Sequence, residues 1–199
     1  MMDSWKLPKT LEVGGKEYQI RTNFDVILDI LTAMNDPDIF ELGMSEDEKQ
    51  NEKVMTMLQI LYIDFESIPF ELYQEAAEKA VMFIDMGIRD DGRKKPHTMD
   101  WEQDAPIIIP ALNRVLGTEV RAVEYMHWWT FLGAYMEIGE SFFANVVSIR
   151  QKRANGKKLD KWEQEFYLEN REVILLKKKL SKEELEEEAE RKAIVDEVL

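Results

Sequence analysis

Acid–base or nucleophilic chemistry would have to pass through two histidines, His97 and His127, because the chain has no cysteine. A nucleophilic triad needs an imidazole beside a serine or cysteine. His97 lies in the charged run Ile88-Arg89-Asp90-Asp91-Gly92-Arg93-Lys94-Lys95-Pro96-His97, where solvent exposure is expected. His127 precedes Trp128 and Trp129 in an apolar stretch, which suits a core histidine bonded to a neighbour better than a general base. Paired carboxylates are plentiful, but Glu183, Glu184, Glu186, Glu187 and Glu188 follow solvent-face spacing. Glu137 and Glu140, flanking Gly139 at an expected helix end, are the acids expected to be most constrained by structure. Metal sites need converging ligands with second-shell support, and no ligand spacing here suggests one. Gly14-Gly15 lacks the helix and the lysine–serine pair of a phosphate-binding loop. The expectation is a protein that is not an enzyme, with no cofactor.

Charge narrows the partners. With 26 basic and 40 acidic side chains the chain carries a net charge of −14, which disfavours nucleic acid or an anionic membrane as partner. The cluster from Arg150 to Lys158 is short and is countered in sequence by Asp160, Glu163 and Glu165. The longest uncharged stretch in the middle of the chain, Tyr125 to Met136, is well short of the roughly 20 residues of a spanning helix. Met1 to Pro8 does not read as a secretory signal. The eleven methionines suit either adaptable surfaces or irregular cores, and the core reading is the stronger.

The elements that hold these residues are mainly helical. Leu11-Glu12-Val13, Gly14-Gly15 and Lys16 to Ile20 form a hairpin signal, with Leu11, Val13, Tyr18 and Ile20 on the apolar face. Thr22 or Asn23 caps a helix carrying Phe24, Ile27, Leu28, Leu31 and Met34. Ser45 with Glu48, Asp100 with Gln103, Asp160 with Glu163 and Ser181 with Glu184 are four capping-box signals. A helix from near Pro69 carries Leu72, Ala76, Ala80 and Phe83. Behind Asp100 a helix runs from Trp101 through Ile107, Ile108 and Leu112, with continuity across Pro110 left open. Val120 to Ile138 is expected to form one central helix, apolar almost all round. Phe142 to Arg153 forms another, and one helix after Asp160 carries Trp162, facing inward, with Phe166, Tyr167, Ile174 and Leu175.

These readings give a mainly α fold: one helical domain over residues 1–180 with a short N-terminal β-hairpin and a mobile loop at 88–97. A charged, loosely packed C-terminal helix or tail follows at 181–199. Its thin apolar stripe, Leu185, Ala189, Ile194 and Val198, suits reversible docking and supplies the candidate partner-binding residues.

Five stretches taken in order carry a resemblance. They are Trp5 to Pro8 with Leu11 to Tyr18; Met99-Asp100-Trp101-Glu102-Gln103-Asp104; Tyr125 to Phe131; Tyr135-Met136-Glu137-Ile138-Gly139-Glu140; and Lys157 to Tyr167. Over about residues 5 to 180 the chain resembles the bacteriophage gene-product-fifteen family of long-tailed phage tail clusters. The resemblance implies a tail-assembly chaperone that binds the tape-measure protein or other tail proteins in the host cytoplasm and is absent from the mature virion. It carries over no catalytic residues and leaves self-association into a homo-oligomer open. A minor structural tail component is the alternative, and an acidic nucleic-acid mimic or inhibitor comes third.

Overall fold

A computed structural model describes residues 6–37, 44–88, 96–177, 179, 181, 184 and 186. Strands β1 (Thr10–Val13) and β2 (Lys16–Gln19) pair antiparallel, with Leu11 opposite Tyr18. Gly14 and Gly15 both hold positive φ, 56° and 75°, the requirement of the two-residue turn whose twist matches the strands. The tip is seated on the start of the third helix. Gly14 donates its N–H to Glu75 Oε2 at 3.1 Å, and a Cβ at Gly14 would lie 2.5 Å from Leu72 Cδ1. Leu11, Val13, Tyr18 and Ile20 are buried, as the alternation predicts.

Helix α1 (Phe24–Ala33) is capped by Asn23, and α2 (Glu46–Leu61) opens with the reciprocal Ser45–Glu48 box. Two short 3-10 turns, Phe65–Ser67 and Phe70–Leu72, lead into α3 (Tyr73–Ile84), which buries Ala76, Ala80 and Phe83. Helix α4 spans Ala105–Leu116 without interruption although Pro110 lies inside it. Pro106 and Pro110 both face solvent, so the Pro106 carbonyl left without its helical donor stays on the wet side. Gly117, in the left-handed region at φ 69°, closes α4 by donating to Asn113 O.

The expected helix from Val120 to Ile138 is not continuous. A 3-10 turn covers Val120–Ala122, and α5 spans only Trp128–Met136. Tertiary pairing takes the intervening backbone away from helix formation. Phe24 N–H donates to Met126 O at 2.9 Å, Trp128 N–H to Thr22 O at 2.7 Å, and Met126 N–H to Asn23 Oδ1 at 2.9 Å. Asn23 thus holds the start of α1 and the approach to α5 together, and it pairs with His127 as an isolated bridge.

The box expected at Asp100–Gln103 forms only in part. Asp100 Oδ1 accepts from Gln103 N–H at 2.7 Å, but the residue that reaches back to Asp100 N–H is Asp104, at 2.9 Å. The helix consequently starts at Ala105, and Trp101 sits in the turn before it. Gln103 is drawn to the chain beyond residue 174: its amide donates to Leu175 O and accepts from Lys177 N–H, both at 2.8 Å.

Helices α6 (Phe142–Ala154), α7 (Lys161–Glu169) and α8 (Arg171–Ile174) complete the described elements. The single helix expected from Trp162 to Leu175 is broken at Asn170, whose side chain donates to Phe166 O. Trp162 is also not inward. The reciprocal Asp160–Glu163 box forms, and Glu163 is the buried residue of α7, paired with Lys152. Trp162, one residue earlier and about 100° round the helix, is left 53% exposed.

Two apolar clusters result. The main one gathers the hairpin and α1 to α5, with Trp128, Phe131, Tyr62 and Phe83 among its buried residues. A smaller one joins Val146, Ile149 and Ile174, flanked by Leu159, Phe166 and Tyr167; Ile107 packs against both. Besides the hairpin, only isolated bridges are present among the described residues. The fold is mainly α. Of the 181–199 segment, Ser181 and Glu184 exchange the two bonds of their expected box. Most of the 88–97 loop, residues 89–95, lies outside the described residues.

Candidate partner-binding surface

The residues best suited to chemistry are committed to holding the fold. His127 is 3% exposed, and each ring nitrogen has a backbone partner: Nδ1 accepts from Trp129 N–H at 3.1 Å and Nε2 lies 2.9 Å from Pro8 O. Acceptance at Nδ1 places the proton on Nε2, which donates to Pro8 O. His127 is therefore the N-cap of α5, and burial depresses its pKa below the ordinary 6.5. The neighbouring indoles cap the far end of α3: Trp128 donates to Ile84 O at 2.7 Å and Trp129 to Phe83 O at 2.8 Å.

Glu137 and Glu140 are both exposed, contrary to the expectation that these acids would be the constrained ones. The constrained acids lie elsewhere. Asp104 takes a two-pronged bond from Arg150, Nη1 to Oδ2 at 2.6 Å and Nη2 to Oδ1 at 2.8 Å, with both side chains buried. Arg150 also donates to Thr98 O, Val173 O and Ile174 O, so one guanidinium ties α6 to α8 and to the approach to α4. On the surface, Glu119 is held down to about 2 by bonds from the Arg121 side chain and backbone, helped by Asn113. Among the described residues no group of His, Asp and Glu is arranged to hold a metal, and no buried side-chain polar atom lacks a partner.

Among the described residues, the exposed large apolar side chains include the rings of Phe70, Tyr125, Phe142 and Trp162. On α6 and α7 the rings of Phe142, Phe166 and Trp162 form a line, each step 5.2 Å between centroids, with Phe142 40% and Trp162 53% exposed. We call this row the α6–α7 ledge. Residues 150–158 hold five bases and no acid, and Arg153, Lys157, Lys158 and Lys161 are exposed around the turn from α6 to α7. Acids offset them: Asp160 caps α7, Glu163 is buried against Lys152, Glu165 pairs with Lys161, and the exposed Glu169 and Glu140 stand close in sequence to Phe166 and Phe142. Arg153 lies over the Tyr167 ring at 4.1 Å.

A second line joins Phe65, Tyr73 and Phe70 at 5.0 and 5.3 Å, with Phe70 79% exposed, and the half-exposed Ile63 lines one groove with Phe65. Its surroundings have the opposite sign. Residues 62–78 hold five acids and no base, and Asp64, Glu66 and Glu71 are exposed. This acidic ledge borders an open groove that also takes in Lys16.

Neither ledge was foreseen. The signal for the first was the Asp160–Glu163 box, which fixes Glu163 rather than Trp162 as the inward residue. For the second it was aromatics confined to 3-10 turns in a run without bases. Leu185, Ala189, Ile194 and Val198 lie outside the described residues. Of the methionines, Met57 is buried, Met34, Met55, Met86 and Met126 are partly buried, and Met82 and Met136 are exposed; Met57, Met34 and Met126 join the main core. No described helix is long and apolar enough to cross a membrane.

A family model described as Bacteriophage Gp15 protein matches residues 3–176. No curated protein matches the chain, and no solved structure does.

Proposed function

The chain belongs to the bacteriophage Gp15 protein family, and from that membership we propose that it is a tail-assembly chaperone. In this reading it holds the tape-measure protein soluble in the host cytoplasm while the tail is built and is absent from the finished virion. It acts by binding and not by catalysis. The observation that supports this is the α6–α7 ledge: a row of three aromatic rings along two helices of a chain whose net charge is −14. A long helical client with an apolar stripe would lie along such a ledge as an amphipathic helix lies in a groove. The acidic remainder of the surface would keep the complex dissolved. Leu185, Ala189, Ile194 and Val198 are the second candidate contact for the same client.

Co-expression with the cognate tape-measure protein tests the reading. Wild-type chain is expected to move the client into the soluble fraction, and Trp162→Ser to lose most of that effect. A client equally insoluble with and without the chain would refute the proposal. If Trp162→Ser is fully active while a variant with all four C-terminal residues changed to Ser is not, the contact moves to that stripe. Detection of the chain in purified virions by mass spectrometry would favour a minor structural tail component instead.

A further inference from the structure

We propose that Leu175, Leu176, Lys177 and Lys179 form a releasable strap, latched to the turn before α4 and able to detach up to Ile174 while the rest of the fold stays closed. Three fastenings of falling strength follow one another along the chain. The innermost is buried: Ile174 is 1% exposed, and Arg150 donates to Val173 O at 2.8 Å and to Ile174 O at 2.7 Å. Next comes the side-chain amide of Gln103, which donates to Leu175 O and accepts from Lys177 N–H, both at 2.8 Å and both on the exposed surface. The outermost is the Lys179 ammonium, paired with Glu102 and lying 3.8 Å from Asp100 Oδ2.

The strap has no apolar anchor of its own. Among the described residues after Ile174 none is buried, so polar bonds hold it. Exposed bonds of these two kinds exchange readily for bonds to water, and each adds little. Ile174, by contrast, can leave only by opening the smaller core and stripping Arg150 of buried acceptors. Local opening is therefore expected to stop between Ile174 and Leu175. Detachment changes reach: Leu185, the first residue of the C-terminal apolar stripe, lies six residues beyond Lys179 and eleven beyond Ile174, so its tether lengthens from about 20 Å to about 40 Å at full extension. The latch stands on the contacts of Asp100, Glu102 and Gln103 alone. Use of the added reach to meet a client rests on the chaperone reading.

Amide hydrogen exchange of the full chain, followed residue by residue without client, tests the strap. In wild type Lys177 N–H is expected to be protected, yet to exchange on the order of 100-fold faster than Ile174 N–H, which donates to Asn170 O. Gln103→Ala is expected to abolish the protection of Lys177. Lys179→Gln, a milder change at the surface, and high salt are each expected to reduce it by about two- to fivefold as the ion pair is lost or screened. In all three cases the rate at Ile174 should change by less than about twofold. Equal rates at Lys177 and Ile174, rising together in the variants, would overturn the inference, because the strap would then open only with the smaller core. So would a Lys177 amide unprotected in wild type, or one whose protection none of the three changes moves. No client enters this measurement, so its failure leaves the chaperone reading standing, and a client left insoluble on co-expression leaves the strap standing.

Discussion

The two apolar clusters of this molecule are held by different means. The main one is organised by buried aromatic area, with Trp128 1% exposed and stacked on Phe131, and its few polar atoms are used to cap helices. The smaller one has, among the described residues, Val146, Ile149 and Ile174 fully inside, and next to it in sequence lies a buried ion pair, Arg150 with Asp104. A large core tolerates the loss of one bond because many contacts remain. A small one placed over a buried charge does not, because removing either partner leaves the other charged and dry.

The sharpest break is therefore expected in the smaller cluster. Arg150→Met should cost about 3–5 kcal/mol by chemical denaturation, since Asp104 and three backbone carbonyls lose their donor together. Adding Asp104→Leu should return part of that loss by removing the orphaned charge, the rest staying lost with the Arg150 carbonyl bonds and the acceptor of Asp100 N–H. If the double variant is no more stable than Arg150→Met, the pair is not the organising contact.

In the main cluster, Trp128→Phe removes volume and the donor to Ile84 O, and a cost of about 2–3 kcal/mol is expected. Near-UV circular dichroism should show that the rest of the core stays ordered. Gly14→Ala should cost less, about 1–2 kcal/mol, from the positive φ, with the Leu72 contact adding to it. A variant as stable as wild type would show that the hairpin tip is not held against α3.

The smallest effect is a slope. His127 has a depressed pKa in the folded chain because of burial, so the unfolded chain binds its proton first as pH falls. The contribution is complete above the ordinary 6.5 and is lost as pH drops below it toward the folded value. Protonation at Nδ1 also removes the acceptor for Trp129 N–H. His127→Asn keeps a capping oxygen and removes the titration. Its melting temperature should vary less with pH between about 5 and 7 than that of wild type, and an unchanged slope would mean that other groups set it.

Much of the secondary structure was legible in the sequence because its signals are local. The Gly14-Gly15 turn, the Ser45–Glu48 and Asp160–Glu163 boxes and the apolar spacing of α1 and α3 each depend on residues within a few positions of one another. His127 was legible as a bonded core histidine, although not as a helix cap. The segment from Val123 to His127 was not legible. Its composition suits a helix, but Thr22, Asn23 and Phe24, about a hundred positions earlier, take its backbone and side-chain bonds. The exposure of Trp162 and Phe70 was equally hidden, because both have the residue types of a core.

By itself, then, the sequence determined the mainly helical class, the hairpin, most helix starts and the family, since periodicity, capping and motif order are carried by neighbours along the chain. Tertiary structure alone decided where α5 begins, that Arg150 reaches Asp104, and which aromatics remain outside. Those outcomes depend on which distant group offers a buried polar atom its partner, and that competition is settled only when the elements meet.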